Sequence, residues 1–214
     1  MIQVQQFTFN PFQENTYILY DETKACIIID PGNHVREEDA ALTDFIAKEG
    51  LAPQRLLNTH CHIDHVFGNR FVAQKWHLDL EMHRLDLPTL TMVPLSAQLY
   101  GIRTYQTSPE PKKFLEAGDI VRFGTSELEV RFVPGHAPGH IAFVAHPEKL
   151  IIGGDLLFQG SIGRTDLPGG DFDTLIQSVE SQIFSLDDSY TVFPGHGPET
   201  TVGREKKTNP FFNR

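Results

Sequence analysis

Cysteine is scarce in this sequence. The chain of 214 residues has only two, Cys26 and Cys61, and they form neither a CxxC motif nor a zinc-finger spacing. A single pair does not define a disulfide, and both residues lie in apolar or histidine-rich stretches. We therefore expect two reduced and buried thiols.

The sequence also lacks long apolar runs and a surplus of positive charge. No apolar stretch approaches the ~20 residues that span a bilayer, and the N-terminal region has no basic segment followed by an apolar one, as a signal peptide would. The chain carries 18 basic and 28 acidic residues, a formal net charge of -10. Such a surface repels phosphate backbones and anionic lipids. We expect a soluble, cytoplasmic monomer or homodimer without nucleic-acid or membrane partners.

The patterns that are present predict an α/β protein. The length and the 40% hydrophobic content suit a single domain over residues 1–214. Apolar runs typical of buried strands, such as Ala25 to Ile29 and Ile141 to Ala145, alternate with stretches of helical period, such as Leu175 to Ile183. Residues 83–117 are less regular and hold four prolines. That segment could form a helical lid over a site.

The strongest local feature is the stretch Thr59-His60-Cys61-His62-Ile63-Asp64-His65. Four side chains of the metal-ligand type fall within six residues, where a predicted strand ends. In an extended segment, residues two apart point the same way, so His60 and His62 can reach one ion. If the chain then turns toward a helix, Asp64 and His65 can face a neighbouring ion. Imidazole and carboxylate ligands suit a divalent metal such as zinc.

Three later segments place a histidine or an aspartate beside glycine at the end of a predicted strand. These are Gly135-His136, Gly154-Asp155 and Gly195-His196. Glycine allows backbones to approach a crowded site closely. One such segment alone would be a weak indication, but together with the first cluster they predict a metal site built from four strand ends.

With these motifs the sequence resembles the metallo-β-lactamase-fold hydrolases. The family's order of HxHxDH, Gly-His, Gly-Asp and Gly-His covers nearly the whole chain. The resemblance implies a four-layer αββα sandwich with its site at one edge of the two sheets. The implied ligands are His60, His62 and His136 for a first ion, Asp64, His65 and His196 for a second, and Asp155 as a bridge between them. Among the remaining histidines, His140 is expected to support a ligand, and His34, His77, His83 and His146 to be structural or exposed. Cys61 is expected to point away from the metals.

This ligand set predicts a hydrolase with two zinc ions, although iron or manganese would also be accepted. Two ions that share a water lower its pKa toward neutrality, so that a bridging hydroxide can attack the substrate. We expect Asp64 and Asp155 to take part in catalysis, with Asp64 placed to accept a proton from the nucleophile. A serine nucleophile is not expected, because no Gly-x-Ser-x-Gly motif is present.

Within the family, the sequence resembles the glyoxalase II-like branch through residues 134–140, 153–158 and 194–198. That branch hydrolyses S-(hydroxyacyl)glutathione, typically S-lactoylglutathione, to a hydroxy acid and a thiol. The resemblance therefore implies a small thioester as substrate. With Asp155 in the bridging position and no signal peptide, we do not expect an antibiotic as substrate.

The sequence departs from this branch near its C-terminus. Full-length glyoxalase II has a further helical domain that supplies cationic residues for glutathione, whereas 18 residues follow His196 here. The candidates to replace those residues are Arg164, Tyr100, Arg103 and Tyr105. Arg164 lies in a Gly-Arg-Thr-Asp stretch and could equally form an ion pair within its own turn.

Three other functions are compatible with the motifs. A persulfide dioxygenase shares this fold and a similar Gly-Arg-Thr-Asp stretch but uses a single iron, so metal identity and oxygen uptake distinguish it. A tRNA-processing nuclease or another phosphodiesterase would need a basic insertion, which the charge of -10 and the compact length disfavour. A binding module without catalysis would be supported by a protein that holds no metal.

Overall fold

The computed structural model describes residues 1–213, and its first layer of strands is a six-stranded sheet. In spatial order its strands are β1 (Gln3–Phe9), β2 (Glu14–Tyr20), β3 (Ala25–Ile29), β4 (Ala52–Leu57), β5 (Leu80–Met82) and β6 (Lys113–Phe114). The pairs from β1 to β3 are antiparallel, and those from β3 to β6 are parallel. The parallel half needs crossover connections, and a helix lies in each of the three.

The second sheet also has six strands. They are β7 (Ile120–Phe123), β8 (Ser126–Phe132), β9 (Ile141–Ala145), β10 (Leu150–Gly154), β13 (Thr191–Pro194) and β14 (Thr200–Thr201), in the spatial order β14-β13-β10-β9-β8-β7. Between β10 and β13 the chain forms a small separate hairpin, β11 (Leu157–Phe158) with β12 (Ser161–Ile162). All neighbours in this sheet are antiparallel except β10 and β13.

Five α-helices accompany the sheets. They are α1 (Arg36–Glu49), α2 (Asn69–Trp76), α3 (Leu87–Leu99), α4 (Phe172–Ser178), which continues as a π-helical turn over Val179–Ile183, and α5 (Val202–Thr208). Helix α1 ends at Gly50, which adopts the left-handed conformation with φ 65°. Among the helices of residues 1–213, none combines the length and the apolarity that crossing a bilayer requires.

Side-chain alternation along the strands divides the interior into three apolar layers. In β3, Ile27 and Ile29 pack between the two sheets, whereas Ile28 packs under the helices of the first sheet. In β10, Ile152 packs between the sheets and Ile151 packs under α4. A strand buried on both faces must be apolar at successive positions, which explains these continuous runs. The three layers separate two sheets and two groups of helices, so the predicted αββα sandwich is confirmed.

The segment 83–117 is more regular than the sequence suggests, because 13 of its residues form α3. Pro88 is tolerated in the first turn, where a backbone N–H has no helical partner. The inner face of α3 is held by Leu90, Val93 and Ala97, which are buried in the apolar layer of the first sheet. Its outer face leaves Met92, Leu95 and Leu99 exposed.

Candidate metal centre

Four loops meet at one end of the sandwich and bring the predicted ligands together. The first follows β4 and contains a 3₁₀ turn at Ile63–His65, and the others follow β8, β10 and β13. Their ligand-type side chains form two groups of three whose ligand atoms all lie within 4.8 Å of one another. The groups are His60, His62 and His136, and Asp64, His65 and His196.

The first group is a cluster of three imidazole nitrogens. His62 Nδ1 lies 2.8 Å from His136 Nε2, which lies 3.2 Å from His60 Nε2. His60 and His136 are buried, and His62 is partly exposed. Burial lowers the pKa of His62 to about 3, and burial together with neighbouring histidines holds the pKa of His60 well below its ordinary value. The rings of His60 and His62 are therefore neutral at physiological pH.

The outer hydrogen bonds of this group determine which nitrogens carry protons. His136 Nδ1 donates to the backbone oxygen of Arg164 at 2.7 Å. Thr59 Oγ1 donates to Asp30, so it accepts from His60 Nδ1 at 3.1 Å. A neutral imidazole has one donor and one acceptor, so with Nδ1 as the donor each ring can offer the lone pair of its Nε2 to a metal ion. Two lone pairs that face each other at 3.2 Å repel, unless a cation lies between them.

The second group repeats this arrangement. His65 Nδ1 donates to Asp30 Oδ2 at 3.1 Å, and His196 Nδ1 donates to the backbone oxygen of Gln13 at 3.1 Å. The opposite nitrogens, both Nε2, face carboxylates, and His196 Nε2 lies 3.1 Å from Asp64 Oδ2. Burial opposes protonation of His65 and His196, but Asp64 and Asp155 outweigh it and raise the pKa of both rings. A divalent cation between His196 and Asp64 would take the place of the proton and bind both atoms.

Asp155 lies between the two groups. Its Oδ2 is 3.5 Å from both His136 Nε2 and His196 Nε2, and its Oδ1 is 3.4 Å from His65 Nε2. Burial opposes ionisation of Asp155, but His65 and the other histidines outweigh it and hold its pKa well below the ordinary value. The same holds for Asp64, where burial opposes and His65 and His196 favour the charged form, with a lowered pKa.

The residues fit two divalent ions. Asp155 Oδ1 and His65 Nε2 are buried and have no hydrogen-bond partner among residues 1–213, although buried polar atoms normally have one. Both point into the cluster, where an ion would coordinate them. The donor set consists of imidazole nitrogens and carboxylate oxygens, which suits zinc and also iron.

Two buried carboxyl groups beside the ligands were not predicted from the sequence. Asp30, in the Asp30-Pro31-Gly32 turn after β3, accepts from His65 Nδ1 and from the backbone N–H of Thr59 at 2.7 Å. The turn was recognisable, but its carboxylate role was not. Glu14 is fully buried, and its Oε1 lies 3.9 Å from His65 Nδ1. In the sequence it stands in a strand pattern that carries no indication of such a site.

The four predicted substrate-binding residues lie in two places. Arg164 is next to the centre, because its backbone oxygen accepts from His136. Its exposed guanidinium forms two hydrogen bonds with Asp166, at 2.7 and 2.8 Å. Tyr100 is exposed and packs edge-on against Phe12. Arg103 and Tyr105 line a cavity of about 500 Å³ beside α3, together with Pro94, Ala97, Gln98, Gly101, Ile102 and Thr107.

The remaining histidines and Cys61 lie outside the two groups. His140 Nε2 donates to the backbone oxygen of Gly153 at 3.0 Å, and its ring lies 4.8 Å from that of His60. Cys61 points away from the ligands into the apolar layer, with Sγ 3.6 Å from Met82 Sδ. The others have partners elsewhere: His34 packs on Phe67, His83 stacks on Phe132, His146 pairs with Glu129, and His77 ends α2.

Comparison with known proteins finds matches over the same residues. The family model of the metallo-beta-lactamase superfamily matches residues 9–196, a range that includes all seven ligand candidates. The hydroxyacylglutathione hydrolase GloC of Haemophilus influenzae is 37% identical over 205 residues, which cover 94% of each chain.

Two solved structures are similar over nearly the whole chain. The BLEG-1 B3 metallo-beta-lactamase has a TM-score of 0.88 and 34% identity, covering 99% of this chain and 100% of that one. TTHA1623 in a di-iron-bound form has a TM-score of 0.88 and 38% identity, covering 97% of this chain and 100% of that one. The three similar proteins are thus named as a hydroxyacylglutathione hydrolase, as a B3 metallo-beta-lactamase and as a protein in a di-iron-bound form.

Proposed function

The chain belongs to the metallo-beta-lactamase superfamily and is a metal-dependent hydrolase, and we propose that its substrate is a small thioester. The substrate class that we propose is S-(hydroxyacyl)glutathione, with S-lactoylglutathione as its common member. The observation that carries the proposal is the centre itself, where Asp155 lies within 3.5 Å of nitrogens from both histidine groups. A carboxylate in that position can join two ions into one reactive centre.

The length of a similar protein supports the thioester. Full-length glyoxalase II carries a further helical domain for glutathione, but the alignment with the hydroxyacylglutathione hydrolase GloC covers 94% of both chains. A protein of this size can therefore bear that name. The contacts with glutathione would then come from the sandwich and its loops.

The acid–base character of the centre also favours a thioester. Burial opposes the ionisation of Asp64 and Asp155, but the neighbouring histidines lower the pKa of both, so both are ionised at neutral pH. A thiol has an ordinary pKa of about 8.5 and leaves readily as the thiolate, so the carbon–sulfur bond can break without a general acid. An amine that leaves from an amide needs a proton at that step. Hydrolysis of a thioester therefore demands less acid catalysis from the centre than hydrolysis of an amide.

Two ions bound there would generate a nucleophile from water at neutral pH and polarise the carbonyl of the substrate. The residues of the chain have separate tasks around them. Asp64 Oδ2, which faces His196, is placed to receive the proton that the attacking water loses. Asp30 and the backbone oxygens of Arg164 and Gln13 orient the imidazoles through their Nδ1 atoms.

We propose zinc as the native metal, with iron or manganese as alternatives for the same ligands. Imidazole and carboxylate donors accept all three metals, and selectivity then depends on supply. The similar structure TTHA1623 is described in a di-iron-bound form, which favours a test of iron beside zinc. We further propose that the protein acts in the cytoplasm, as a monomer or homodimer.

A second candidate substrate is a β-lactam. It is favoured by the 34% identity to the BLEG-1 B3 metallo-beta-lactamase over 99% of this chain. Against it stands Asp155 in the bridging position, where the sequence pattern favours a thioesterase. Both substrates can be offered to one preparation of the enzyme.

The experiment is hydrolysis of S-D-lactoylglutathione by protein loaded with zinc or with iron, beside a chelated control and a β-lactam. We expect a kcat/KM of about 10⁴ M⁻¹s⁻¹ or more for the thioester, lost on chelation, which is typical of efficient enzymes. Faster hydrolysis of the β-lactam would replace the thioester by the second candidate. If both rates equal those in buffer while two ions remain bound, the proposed substrate class is wrong. Oxygen uptake with glutathione persulfide would then test the single-iron oxidoreductase.

A further inference from the structure

One buried carboxylate lies outside the ligand set and contacts both loops of the three-histidine group. Asp86 ends the 3₁₀ turn that precedes α3, and its side chain is fully buried. Its Oδ2 accepts the backbone N–H of Cys61 at 2.5 Å, and its Oδ1 accepts the backbone N–H of Gly139 at 3.1 Å. Thr89 Oγ1 also donates to Oδ1, at 3.0 Å, and holds the carboxylate in place from the first turn of α3.

The two N–H groups belong to the loops that supply the first group of ligands. Cys61 stands between His60 and His62, so the hydrogen bond to Asp86 holds the backbone from which both imidazoles project. Gly139 is in the loop between β8 and β9, which supplies His136. One carboxylate thus links the two separate chain segments that must meet around one ion.

The glycine at position 139 shows how tightly this contact is built. A Cβ atom on Gly139 would lie 2.3 Å from the backbone nitrogen of Asp86 and 2.6 Å from its Cβ. Any larger residue would push the loop away from Asp86. The close approach and the two hydrogen bonds are therefore parts of one contact.

We propose that Asp86 is a positioning residue for the three-histidine subsite, setting the separation of His60 and His62 from His136 by holding both loops. The proposal rests on the metal ligands of the proposed function but does not depend on its substrate. Asp86 touches none of the ligand side chains in the contacts of residues 1–213 and acts through the backbone. Replacing its carboxylate should therefore weaken the first subsite and spare the second.

The test measures zinc affinity in proteins that keep one subsite each. His196→Ala leaves the three-histidine group complete, and His62→Ala leaves the group of Asp64, His65 and His196 complete. Asp86→Asn is added to each of these proteins, and affinity is measured by competition with a chromophoric chelator. Asn can accept from only one of the two loops, because its amide nitrogen is a donor.

With His196→Ala, we expect Asp86→Asn to weaken zinc binding about 10–100-fold, the usual effect of losing an outer contact of a ligand. With His62→Ala, we expect a change below about threefold. In the His196→Ala protein, adding Asp86→Asn should also change the absorption spectrum of bound Co²⁺, because the arrangement of its ligands changes. A change below about threefold with His196→Ala would overturn the proposal, as would equal losses with both.

A matched control separates positioning from general stability. Asp21 is likewise a buried aspartate that accepts several hydrogen bonds. It follows the last residue of β2, whereas Glu14, which lies beside the metal centre, is the first residue of that strand. Asp21→Asn should lower the melting temperature yet leave zinc affinity unchanged within about threefold; an equal loss of affinity would refute the positioning role.

If Asp86→Asn does not fold, Thr89→Val offers a milder change that frees the carboxylate. It should weaken the same subsite, and no effect there would contradict the proposal.

Because the measured quantity is zinc affinity, the outcome is independent of thioester hydrolysis. A protein that binds zinc as expected but does not hydrolyse S-lactoylglutathione would refute the substrate and leave the role of Asp86 intact. If the wild-type protein hydrolyses S-lactoylglutathione but the Asp86 variants keep their zinc affinity, the substrate would be supported and the role of Asp86 refuted.

Discussion

His65 and Asp30 form a buried pair in which Nδ1 of the imidazole lies 3.1 Å from Oδ2 of the carboxylate. Burial opposes protonation of His65, but Asp155 and Asp64 outweigh it and raise its pKa well above the ordinary value. The ring is thus surrounded by carboxylates on both edges. Asp30 directs Nε2 toward the second group of ligands, and it also accepts from Thr59, which orients His60.

We predict that Asp30→Asn lowers zinc affinity about 10–100-fold, because Asp30 orients His65 directly and His60 through Thr59. The measurement is the number of zinc ions per chain after dialysis against graded chelator. Asp21→Asn serves as the control and should retain zinc like the wild type. Two ions held with wild-type affinity in Asp30→Asn would show that the pair has no role in binding.

We predict that Gly195→Ala disrupts the centre although it adds one methyl group. A Cβ atom there would lie 2.1 Å from Asp155 Oδ1 and 2.7 Å from His65 Cε1, so the bridging carboxylate must move. We expect at least one ion to be lost, as measured by elemental analysis. Gly153→Ala is the matched control, since its Cβ would meet Val192 at an ordinary 3.4 Å. Loss of metal in both variants would mean that any side chain in these loops is harmful.

We predict that Arg164→Ala raises KM for S-lactoylglutathione about tenfold with little change in kcat, since one lost charged contact is worth about 1.5 kcal/mol. The backbone oxygen that accepts from His136 remains in the variant. Asp166→Asn is the comparison, because it frees the guanidinium from its ion pair. It should leave KM unchanged or lower it. Equal increases in KM for both variants would indicate that the pair only stabilises its own turn.

We predict that Asp21 stabilises the end of the sandwich remote from the metals. Its carboxylate accepts the backbone N–H groups of Thr23 and Thr125 and the hydroxyl of Ser126, so it ties the β2–β3 turn to the β7–β8 turn. In Asp21→Asn, one carboxylate oxygen becomes an amide NH₂, which is a donor and cannot accept the hydrogen bonds that this oxygen receives. We expect a loss of about 2 kcal/mol, or about 4–8 °C in Tm, measured by thermal unfolding at pH 7.

The same carboxyl predicts a pH dependence. Burial opposes its ionisation, but the hydrogen bonds from Thr23 and Thr125 outweigh that effect and lower its pKa from 3.8 to about 2. A carboxyl with a lowered folded pKa stabilises the protein above its unfolded pKa and loses that contribution as pH falls through the folded value. The difference in unfolding free energy between wild type and Asp21→Asn should thus be constant above pH 5. It should shrink between about pH 4 and 2, and a constant difference throughout would contradict the assignment.

Local sequence predicted the ligand-type residues and an α/β protein, and the family resemblance implied the order of the layers. His60, His62, Asp64 and His65 crowd one loop, and a histidine or aspartate beside glycine recurs at three later strand ends. Strands β3, β9 and β10 are continuous apolar runs. Successive side chains of a strand point to opposite faces, so such a run indicates a strand that is buried on both faces. The sequence suggested a helical lid in residues 83–117 but not the bounds of α3, because its prolines interrupt the helical pattern and its buried residues are few.

The sequence by itself determined which side chains can hold metal, because ligand type and strand-end position are local properties. Only the tertiary structure decided which of them meet. It also decided that Asp30 and Glu14 lie beside His65 and that Asp86 binds the backbone between His60 and His62. Those three carboxyl groups act across separations of 25 or more residues along the chain, and nothing near them in the sequence differs from an ordinary turn or strand. Their roles arise from burial and hydrogen-bond geometry, which exist only once the two sheets have packed together.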